Sequence, residues 1–249
     1  GKLLIRESAD QVLRTSMELG GNAPFLVFED ADVDKAVEGA MLAKLRNMGE
    51  ACTAANRFLI HESVADEFAE KLTAKFAALK VARGVEEGTN IGPVIDEKAR
   101  TSIHALVTDA TAKGAKVLTG GVIPEGDGYF YPPTVLKGVA ANSEILRNEI
   151  FGPVAPIVTF KTEDEAVELA NDTEYGLVAY AFTKDLNRGL RLAETLEVGM
   201  FGLNTGIVSN PAAPFGGVKA SGLGREGGKE GIEEYLETVY IGIADPFED

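Results

Sequence analysis

The sequence predicts an α/β fold in which an open, mostly parallel sheet carries helices on both faces. Strand-like and helix-like segments alternate from residue 154 to residue 204, which is the pattern of consecutive βαβ units. The chain has 249 residues with 45% hydrophobic content, so it can bury one large core. No internal repeat or low-complexity linker interrupts it. These observations favour one large domain, with small appendages at most.

The first half of the chain contains helix and strand signals separated by turns. Gly20 and Gly21 lie between two short strands, and we interpret them as a tight turn in a backbone conformation that side chains would forbid. Asp30 or Asp32 can cap the helix that follows. The predicted elements are, in order, a helix over 2–12, strands over 15–19 and 24–28, a helix from 33, a strand over 58–61 and a helix over 65–79.

The second half contains the most regular alternation. Gly114 follows a helical segment where glycine commonly ends a helix, and Thr162 and Asp185 stand at the starts of two further helices. A glycine- and proline-rich loop over 205–224 leaves the carboxyl end of a strand, where ligands usually bind, so we expect 209–215 near a site. The predicted elements are, in order, a helix over 97–113, a strand over 117–118, an irregular loop over 120–133, a strand over 154–160, a helix to about 171, a strand over 177–183, a helix from 185, a strand over 200–204 and a helix over 229–236.

An apolar segment over 238–243 closes the pattern and is predicted to be a strand. No later segment can pair with it. An unpaired strand presents backbone N–H and C=O groups that another chain can bind. We therefore expect this segment to join copies of the chain into a homo-oligomer.

The composition argues against two classes of partner. Acidic residues outnumber basic ones by 39 to 24, the net charge is −15, and no block of basic residues is present. Nucleic acids and anionic membranes are therefore not expected as partners. No apolar run approaches the roughly 20 residues that span a bilayer, and the first residues lack the pattern of a signal peptide. With a single cysteine, these features predict a reducing, cytoplasmic setting.

That single cysteine, Cys52, is either a core residue or a nucleophile, because it has no partner for an internal disulfide. Composition alone favours the core. Gly49, however, interrupts the chain just after a long amphipathic helix and leaves the thiol in a short connection before the next strand. A substrate can reach a thiol in such a junction, which favours the nucleophile.

The segment Gly222-Leu223-Gly224-Arg225-Glu226-Gly227 matches the dinucleotide-binding pattern GxGxxG, but its context does not fit. No convincing strand precedes it, and only 22 residues follow, too few for a βαβ unit with an acidic residue about 20 positions on. We do not expect it to bind a dinucleotide in that manner.

The two histidines are not expected to take part in catalysis. His61 ends a predicted strand, His104 lies on a predicted helix, and both are far from Cys52 in the sequence. Two histidines and one cysteine do not provide the spacing of zinc ligands, so no metal site is expected.

Four motifs in this order together resemble the aldehyde dehydrogenase superfamily. They are Met17-Glu18-Leu19-Gly20-Gly21-Asn22-Ala23-Pro24, Gly49-x-x-Cys52, Asn148-Glu149-Ile150-Phe151-Gly152-Pro153-Val154 and Pro214-Phe215-Gly216-Gly217-Val218-Lys219-x-Ser221-Gly222. The resemblance runs the full length of the chain, but only to the carboxy-terminal half of such an enzyme. It implies that 1–20 are a remnant of the nucleotide-binding domain, that 21–235 are the catalytic domain and that 236–249 are an oligomerisation strand and tail.

The chemistry of this family explains two residue types. A thiolate attacks the aldehyde carbonyl, and the thioester that follows oxidation is hydrolysed by an activated water. The resemblance implies that Cys52 is the nucleophile and that Glu18 is the base, whose pKa burial would raise towards neutral pH. Without the resemblance, Glu18 would be interpreted as a solvated carboxylate at the end of a strand.

The resemblance also implies NAD or NADP as the cofactor. Glu149 would hold the ribose hydroxyls of the nicotinamide nucleotide, Phe151 would pack against the nicotinamide, and Leu19 belongs to the same cofactor-binding set. A surface position for Glu149 and core packing for Phe151 stay open as alternatives. Lys219 and Arg225 are expected to be structural or solvated. Because the resemblance lacks most of the nucleotide-binding domain, we expect the chain alone to be inactive as a dehydrogenase.

Two residues predict a substrate that carries an acid group. Arg46 lies six residues before Cys52, Ser209 lies in the loop expected near the site, and both could bind a carboxylate. Both positions, with the run over 209–214, are similar to succinate-semialdehyde dehydrogenases within the family. This similarity implies oxidation of succinate semialdehyde or a similar carboxylate-bearing aldehyde. A cation at a helix end for Arg46, and a plain loop residue for Ser209, remain the alternatives.

Two positions depart from the family pattern, and two other functions stay open. Glu50 stands where relatives more often have glutamine, and its charge would disfavour a thiolate. Ala54 replaces a second cysteine of some relatives, which excludes a disulfide within this loop. The other functions are a thiol esterase that needs no cofactor and a non-catalytic assembly fragment.

Overall fold

A computed structural model, which describes residues 1–244, has the predicted α/β fold. The helices are α1 (Lys2–Ala9), α2 (Val33–Leu45), α3 (Ala65–Ala77), α4 (Glu97–Ala112), α5 (Glu163–Asn171), α6 (Leu186–Thr195) and α7 (Glu230–Glu233). The strands are β1 (Met17–Glu18), β2 (Ala23–Val27), β3 (Ala55–His61), β4 (Lys116–Thr119), β5 (Thr134–Lys137), β6 (Val154–Phe160), β7 (Tyr175–Gly176), β8 (Val178–Phe182), β9 (Met200–Leu203), β10 (Val218–Lys219) and β11 (Gly222–Leu223). Within residues 1–244, no helix is long and apolar enough to cross a bilayer.

Seven strands form one sheet in the order β4-β5-β6-β3-β2-β8-β9. The pair β4-β5 at one edge is antiparallel, and all the other neighbours are parallel. Two short antiparallel pairs, β1-β11 and β7-β10, lie outside this sheet. The prediction of an open, mostly parallel sheet is therefore confirmed.

Strand β2 shows why the sheet needs helices on both faces. Phe25 and Val27 belong to the core cluster that α2 and α3 cover, while Leu26 and Phe28 belong to the cluster that α5 and α6 cover. All four side chains are buried. Successive side chains of a strand point to opposite faces, so a strand buried on both faces must be apolar throughout.

The two aspartates before α2 have different partners. Asp32 is the N-cap of α2, and its carboxylate accepts the N–H of Lys35 at 3.2 Å. Asp30 instead accepts hydrogen bonds from the Thr183 hydroxyl and the N–H of Lys184, both at 2.8 Å, and pairs with Arg188 at 2.8 Å. Asp30 therefore ties the end of β2 to the start of α6.

Two features of the sheet are not predicted from the sequence pattern. The alternation over 154–204 predicts parallel strands without their order, and β3 and β2 lie between β6 and β8 in the sheet. Strand order depends on contacts between distant segments, which hydrophobic periodicity does not report. The four residues of β5 are not predicted either, because they directly follow the irregular loop and show no clear alternation.

Towards both ends of the chain the predicted elements are shorter than expected. Strand β1 has two residues and pairs with β11 rather than with β2. Helix α7 has four residues, so the GxGxxG segment, which begins with β11, does not open a long helix. The segment 238–243 forms no strand in the described chain, because nothing else within residues 1–244 pairs with its backbone. Its pairing with another chain stays a prediction.

Helix α2 packs unusually close to the sheet at Gly39. A Cβ atom added there would overlap the buried ring of Phe182, and the carbonyl of Gly39 also lies against Gly206. Glycine therefore permits this close approach of α2 to the sheet.

We expect Gly39→Ala to lower the free energy of unfolding by about 1–2 kcal/mol. Helix propensity alone would favour alanine by about 1 kcal/mol, but overpacking against the Phe182 ring costs more. Urea denaturation measures the difference. Gly84→Ala is the control, because a Cβ atom there meets nothing within 4 Å. A more stable Gly39→Ala protein would show that the ring has room to move.

Candidate active site

The cysteine loop begins with a sharp reversal of the backbone. Helix α2 is followed by a 3₁₀ turn over Arg46–Gly49, in which Asn47, Met48 and Gly49 have φ of 50°, 58° and 83°. Left-handed conformations are costly for residues other than glycine. At Gly49 a side chain would also overlap the carbonyl of Gly152. The reversal directs the chain away from the helix axis, and Cys52 follows it.

The thiol of Cys52 is half-buried at the edge of the main core cluster. Burial raises the pKa of the thiol, and the nearby carboxylates of Glu149 and Glu18 raise it further. The backbone N–H groups of Cys52 and Thr53 act in the opposite direction. The sulfur is therefore neither sealed in the core nor fully solvated, and both carboxylates that the sequence singles out are near enough to raise its pKa.

Glu18 ends β1 with both carboxylate oxygens buried and without a hydrogen-bond partner among the described residues. Burial raises the pKa of this carboxyl, Glu226 adds to the rise, and Arg225 opposes it. The Arg225 guanidinium itself donates to the carbonyls of Gly217 and Gly224 at 2.9 and 2.7 Å, which is a structural role. A desolvated carboxylate with free acceptors can take a proton from water or from a thiol.

Glu149 lies on the other side of the Gly20-Gly21 segment. The N–H of Gly21 donates to its carboxylate at 3.1 Å, and a Cβ atom at Gly20 would lie 2.6 Å from its other oxygen. Neither glycine is in the left-handed region, so the predicted glycine-only turn is wrong. Glycine is needed here for close approach, because a side chain at Gly21 would overlap the carbonyl of Cys52.

Glu149 and Leu19 line a cavity that is open to solvent. Burial raises the pKa of Glu149, while the N–H of Gly21 and the charge of Lys44 lower it. Phe151 lies two residues further on, is 45% exposed and has a φ of 50°. This left-handed conformation is rare for an aromatic residue and keeps the ring at the surface rather than in the core.

Lys44 is a residue of the site that is not predicted from the sequence. It is fully buried in the last turn of α2, and its Nζ has no hydrogen-bond partner among the described residues. Burial lowers the pKa of Lys44 to about 7, against the attraction of Glu149. The sequence could have indicated its burial, because position 44 follows the buried positions 33, 37 and 40 at helical spacing.

Arg46 and Ser209 meet beside the cysteine loop, although 163 positions separate them. The guanidinium of Arg46 is 3.5 Å from the Ser209 hydroxyl and 3.4 Å from the Thr53 hydroxyl. These side chains line a narrow cavity together with Tyr180. The cavity places a cation and hydroxyl groups next to the residue that follows Cys52, an arrangement that suits an anion.

The site lies at the amino ends of the parallel strands, not at the carboxyl ends. Glu18, Cys52 and Glu149 precede β2, β3 and β6 respectively. Ser209 belongs to the loop that leaves the carboxyl end of β9, but this loop passes back along α2, where Gly206 contacts Gly39. The rule that ligands bind at the carboxyl ends of strands therefore selected the correct loop, but the loop reaches the site by passing back along α2.

The remaining candidates lie elsewhere. Glu50 accepts the N–H of Ile95 at 3.2 Å, so its carboxylate is held by the neighbouring loop. His61 hydrogen-bonds to Ser63, and His104 to Tyr131, at 2.8 and 3.2 Å. Within residues 1–244, no group of three or more His, Cys, Asp or Glu residues could hold a metal ion.

Comparison with known proteins identifies relatives of the whole chain. The profile of the aldehyde dehydrogenase family matches residues 1–241. The chain is 63% identical to a succinate-semialdehyde dehydrogenase of Paenarthrobacter nicotinovorans, covering 100% of the chain and 55% of that protein. It is 52% identical to a glutarate-semialdehyde dehydrogenase of Pseudomonas putida, covering 98% and 50%. A crystal structure of an NADP-dependent enzyme of Escherichia coli matches with a TM-score of 0.93 and 51% identity, covering 95% and 49%. The chain thus spans about half the length of these relatives.

We expect Lys44→Met to raise the free energy of unfolding near pH 7 by roughly 2–4 kcal/mol, because it replaces a buried, unpartnered ammonium with an apolar side chain of similar length. The pKa of Lys44 is about 7 in the folded chain and 10.5 ordinarily. Between pH 7 and pH 10.5 the unfolded chain therefore binds more protons at this residue than the folded chain does. The loss of unfolding free energy caused by Lys44 therefore becomes smaller as the pH rises through this range. The gain in unfolding free energy from Lys44→Met becomes smaller by the same amount.

Urea denaturation at several pH values between these limits tests the expectation. Lys35→Met is the control, because Lys35 is an exposed lysine of the same helix. It should show no pH-dependent gain. A gain from Lys44→Met that stays constant across the window would contradict a pKa of Lys44 that burial lowers.

Proposed function

Because the chain belongs to the aldehyde dehydrogenase family, we propose that it carries the nucleophile of an enzyme that oxidises succinate semialdehyde, or a similar aldehyde with a distal carboxylate, using NAD or NADP. The observation that carries the substrate assignment is the cavity that Arg46, Ser209 and Thr53 line beside the cysteine loop. The relatives named as succinate- and glutarate-semialdehyde dehydrogenases support the same class of substrate.

In this proposal the sulfur of Cys52 attacks the aldehyde carbon and forms a thiohemiacetal. The raised pKa of the thiol means that a base must take its proton near neutral pH. The backbone N–H of Cys52 is one donor for the developing oxyanion. A reducing, cytoplasmic setting would keep this sulfur in the thiol form that the reaction needs.

Glu18 is proposed as the base that activates water for hydrolysis of the thioester. Its two buried oxygens have no partner among the described residues, so they can accept a proton without breaking an existing bond. Its raised pKa brings the carboxyl nearer to neutral pH, where a base both accepts and releases protons efficiently. Its carboxylate is close enough to Cys52 to raise the pKa of the thiol.

Glu149, Leu19 and Phe151 are proposed to hold the nicotinamide nucleotide. The proposal is supported by the open cavity that Leu19 and Glu149 line and by the single N–H that Glu149 accepts, which leaves its carboxylate able to accept sugar hydroxyls. Phe151, two residues after Glu149, offers an exposed aromatic face. When bound, the nucleotide supplies the acceptor for the hydride that leaves the substrate.

The segment after α7 is proposed to join copies of the chain into a homo-oligomer. Val239, Tyr240 and Ile241 are 76%, 91% and 75% exposed, and their backbone has no strand partner within residues 1–244. Three consecutive exposed apolar residues suit burial by strand addition. Analytical ultracentrifugation would compare the chain with a variant that ends after residue 236.

A cofactor-independent thiol esterase is the second candidate. It is favoured by the observation that Glu18 is near enough to raise the pKa of Cys52. A nucleophile and a base in this position could acylate and deacylate without a nucleotide. Release of nitrophenol from nitrophenyl acetate without NAD(P) would support it. Formation of NAD(P)H that depends on succinate semialdehyde would support the dehydrogenase instead.

We expect Arg46→Met, in the polypeptide that contains this chain, to lower kcat/KM for succinate semialdehyde by about 10- to 100-fold, mainly through KM. Removing the guanidinium deletes a charge-assisted bond to the distal carboxylate. Butanal lacks this carboxylate and should lose less than about threefold. Arg83→Met is the control, because Arg83 is an exposed arginine outside the site. Equal losses with both aldehydes would remove the substrate assignment.

We expect Glu18→Gln to oxidise about one equivalent of aldehyde per site and then to slow by about 100-fold or more. The amide cannot take a proton from water, so the thioester at Cys52 accumulates. Stopped-flow absorbance of NAD(P)H measures the burst, and mass spectrometry detects the acylated chain. Glu38→Gln, an exposed glutamate of α2, should turn over normally. No burst in the Glu18 variant would contradict its role in hydrolysis.

A further inference from the structure

Tyr180 of β8 stands in a row of three residues that crosses the sheet. It is in register with Phe25 of β2 on one side and with Gly202 of β9 on the other. The rings of Phe25 and Tyr180 are 6.1 Å apart, and a Cβ atom at Gly202 would lie 3.1 Å from the Tyr180 ring. The Tyr180 side chain is buried. The ring of Tyr180 therefore packs against Phe25 on one side, and the missing side chain of Gly202 leaves room for it on the other.

The phenol of Tyr180 reaches the turn that carries the nucleophile. It donates a hydrogen bond to the carbonyl of Thr53 at 2.9 Å. The N–H of the same peptide unit, which belongs to Ala54, donates to the carbonyl of Ala51 at 3.0 Å. This peptide is thus held from both sides, and it closes a four-residue turn in which Cys52 is the second residue.

We propose that Tyr180 is a positioning residue for Cys52: its phenol, fixed by the sheet, holds the peptide that closes the turn around the nucleophile. The inference rests on the proposed function, in which Cys52 attacks the substrate. Tyr180 does not touch the reacting atoms in this account. It acts through Thr53, whose hydroxyl also contacts Arg46, so one residue of the turn is linked both to the sheet and to the substrate cavity.

The turn has a direct effect on the sulfur. Burial and Glu149 raise the pKa of the Cys52 thiol, and the N–H groups of Cys52 and Thr53 oppose them. These N–H groups belong to the turn that the phenol holds, so their direction towards the sulfur depends on it. Burial raises the pKa of Tyr180 to about 12, so the phenol remains a neutral donor through the working range of pH.

Tyr180→Phe is the matched test, because it removes only the phenolic oxygen and keeps the ring packed against Phe25. Alkylation of Cys52 by iodoacetamide, followed against pH, reports the thiolate without substrate or cofactor. We expect the midpoint of the profile to move to higher pH and the rate near neutral pH to fall about three- to tenfold, the value of one neutral hydrogen bond.

Tyr131→Phe separates positioning from general destabilisation. Tyr131 is also fully buried, and its phenol contacts His104 at 3.2 Å in a different core cluster. Both variants lose a buried phenol, so both should unfold at slightly lower temperature. Only Tyr180→Phe should change the alkylation profile. With succinate semialdehyde, it should lower kcat about tenfold and change KM less than about threefold.

Either of two results would overturn the inference: an alkylation profile of Tyr180→Phe that matches the unmodified chain, or profiles of both tyrosine variants that move alike. Because alkylation needs neither aldehyde nor nucleotide, it remains informative if the unmodified protein oxidises no aldehyde. In that case the proposed function fails while the positioning of Cys52 by Tyr180 is still decided.

Discussion

The candidate site depends on a buried network of amide groups that joins three segments distant in the sequence. The Asn56 amide donates to the Asn22 side chain at 2.6 Å and to the carbonyl of Asn148 at 2.8 Å. The Asn22 amide donates to the carbonyl of Leu146 at 2.9 Å, and Arg57 donates twice to the carbonyl of Asn22. Buried polar groups are costly unless they are paired, so the network has few alternative arrangements. It therefore holds the segments that carry the two carboxylates and the thiol in one relative position.

Charges of opposite sign surround the thiol of Cys52. Glu149, which lines the open cavity, and Glu18 both raise the pKa of the thiol. Arg46 lies on the side of the narrow cavity. Lys44 offsets only part of the charge of Glu149, because its own burial lowers its pKa to about 7. In the proposed function, the anionic end of the aldehyde would be attracted by Arg46 and repelled by the two carboxylates, which would discriminate between its two possible orientations.

Local signals predicted the fold well, and contacts between distant segments limited the rest. The side chains of Thr162 and Asp185 cap the helices that they were expected to start, since capping depends on residues within one turn. The pair of Arg46 and Ser209 could be proposed only through the family resemblance, because no periodicity links positions so far apart. Tyr180 gave no signal at all: in the sequence it is one more apolar residue of a buried strand. Its role depends on the register of three strands, which the sequence does not report.

The hydrogen bonds of Arg46 explain how the site can be organised without being blocked. At 3.4 and 3.5 Å, its contacts with the two hydroxyls are longer than good N–H···O bonds, and the residue is exposed. A carboxylate would offer shorter, charge-assisted bonds to the same planar group. Exchanging two weak bonds for two strong ones favours the acid-bearing substrate, while an aldehyde without the acid leaves the weak bonds in place. In the proposed function, the arginine would therefore select between substrates by a difference in the strength of its hydrogen bonds, on a cavity wall that exists before the substrate binds.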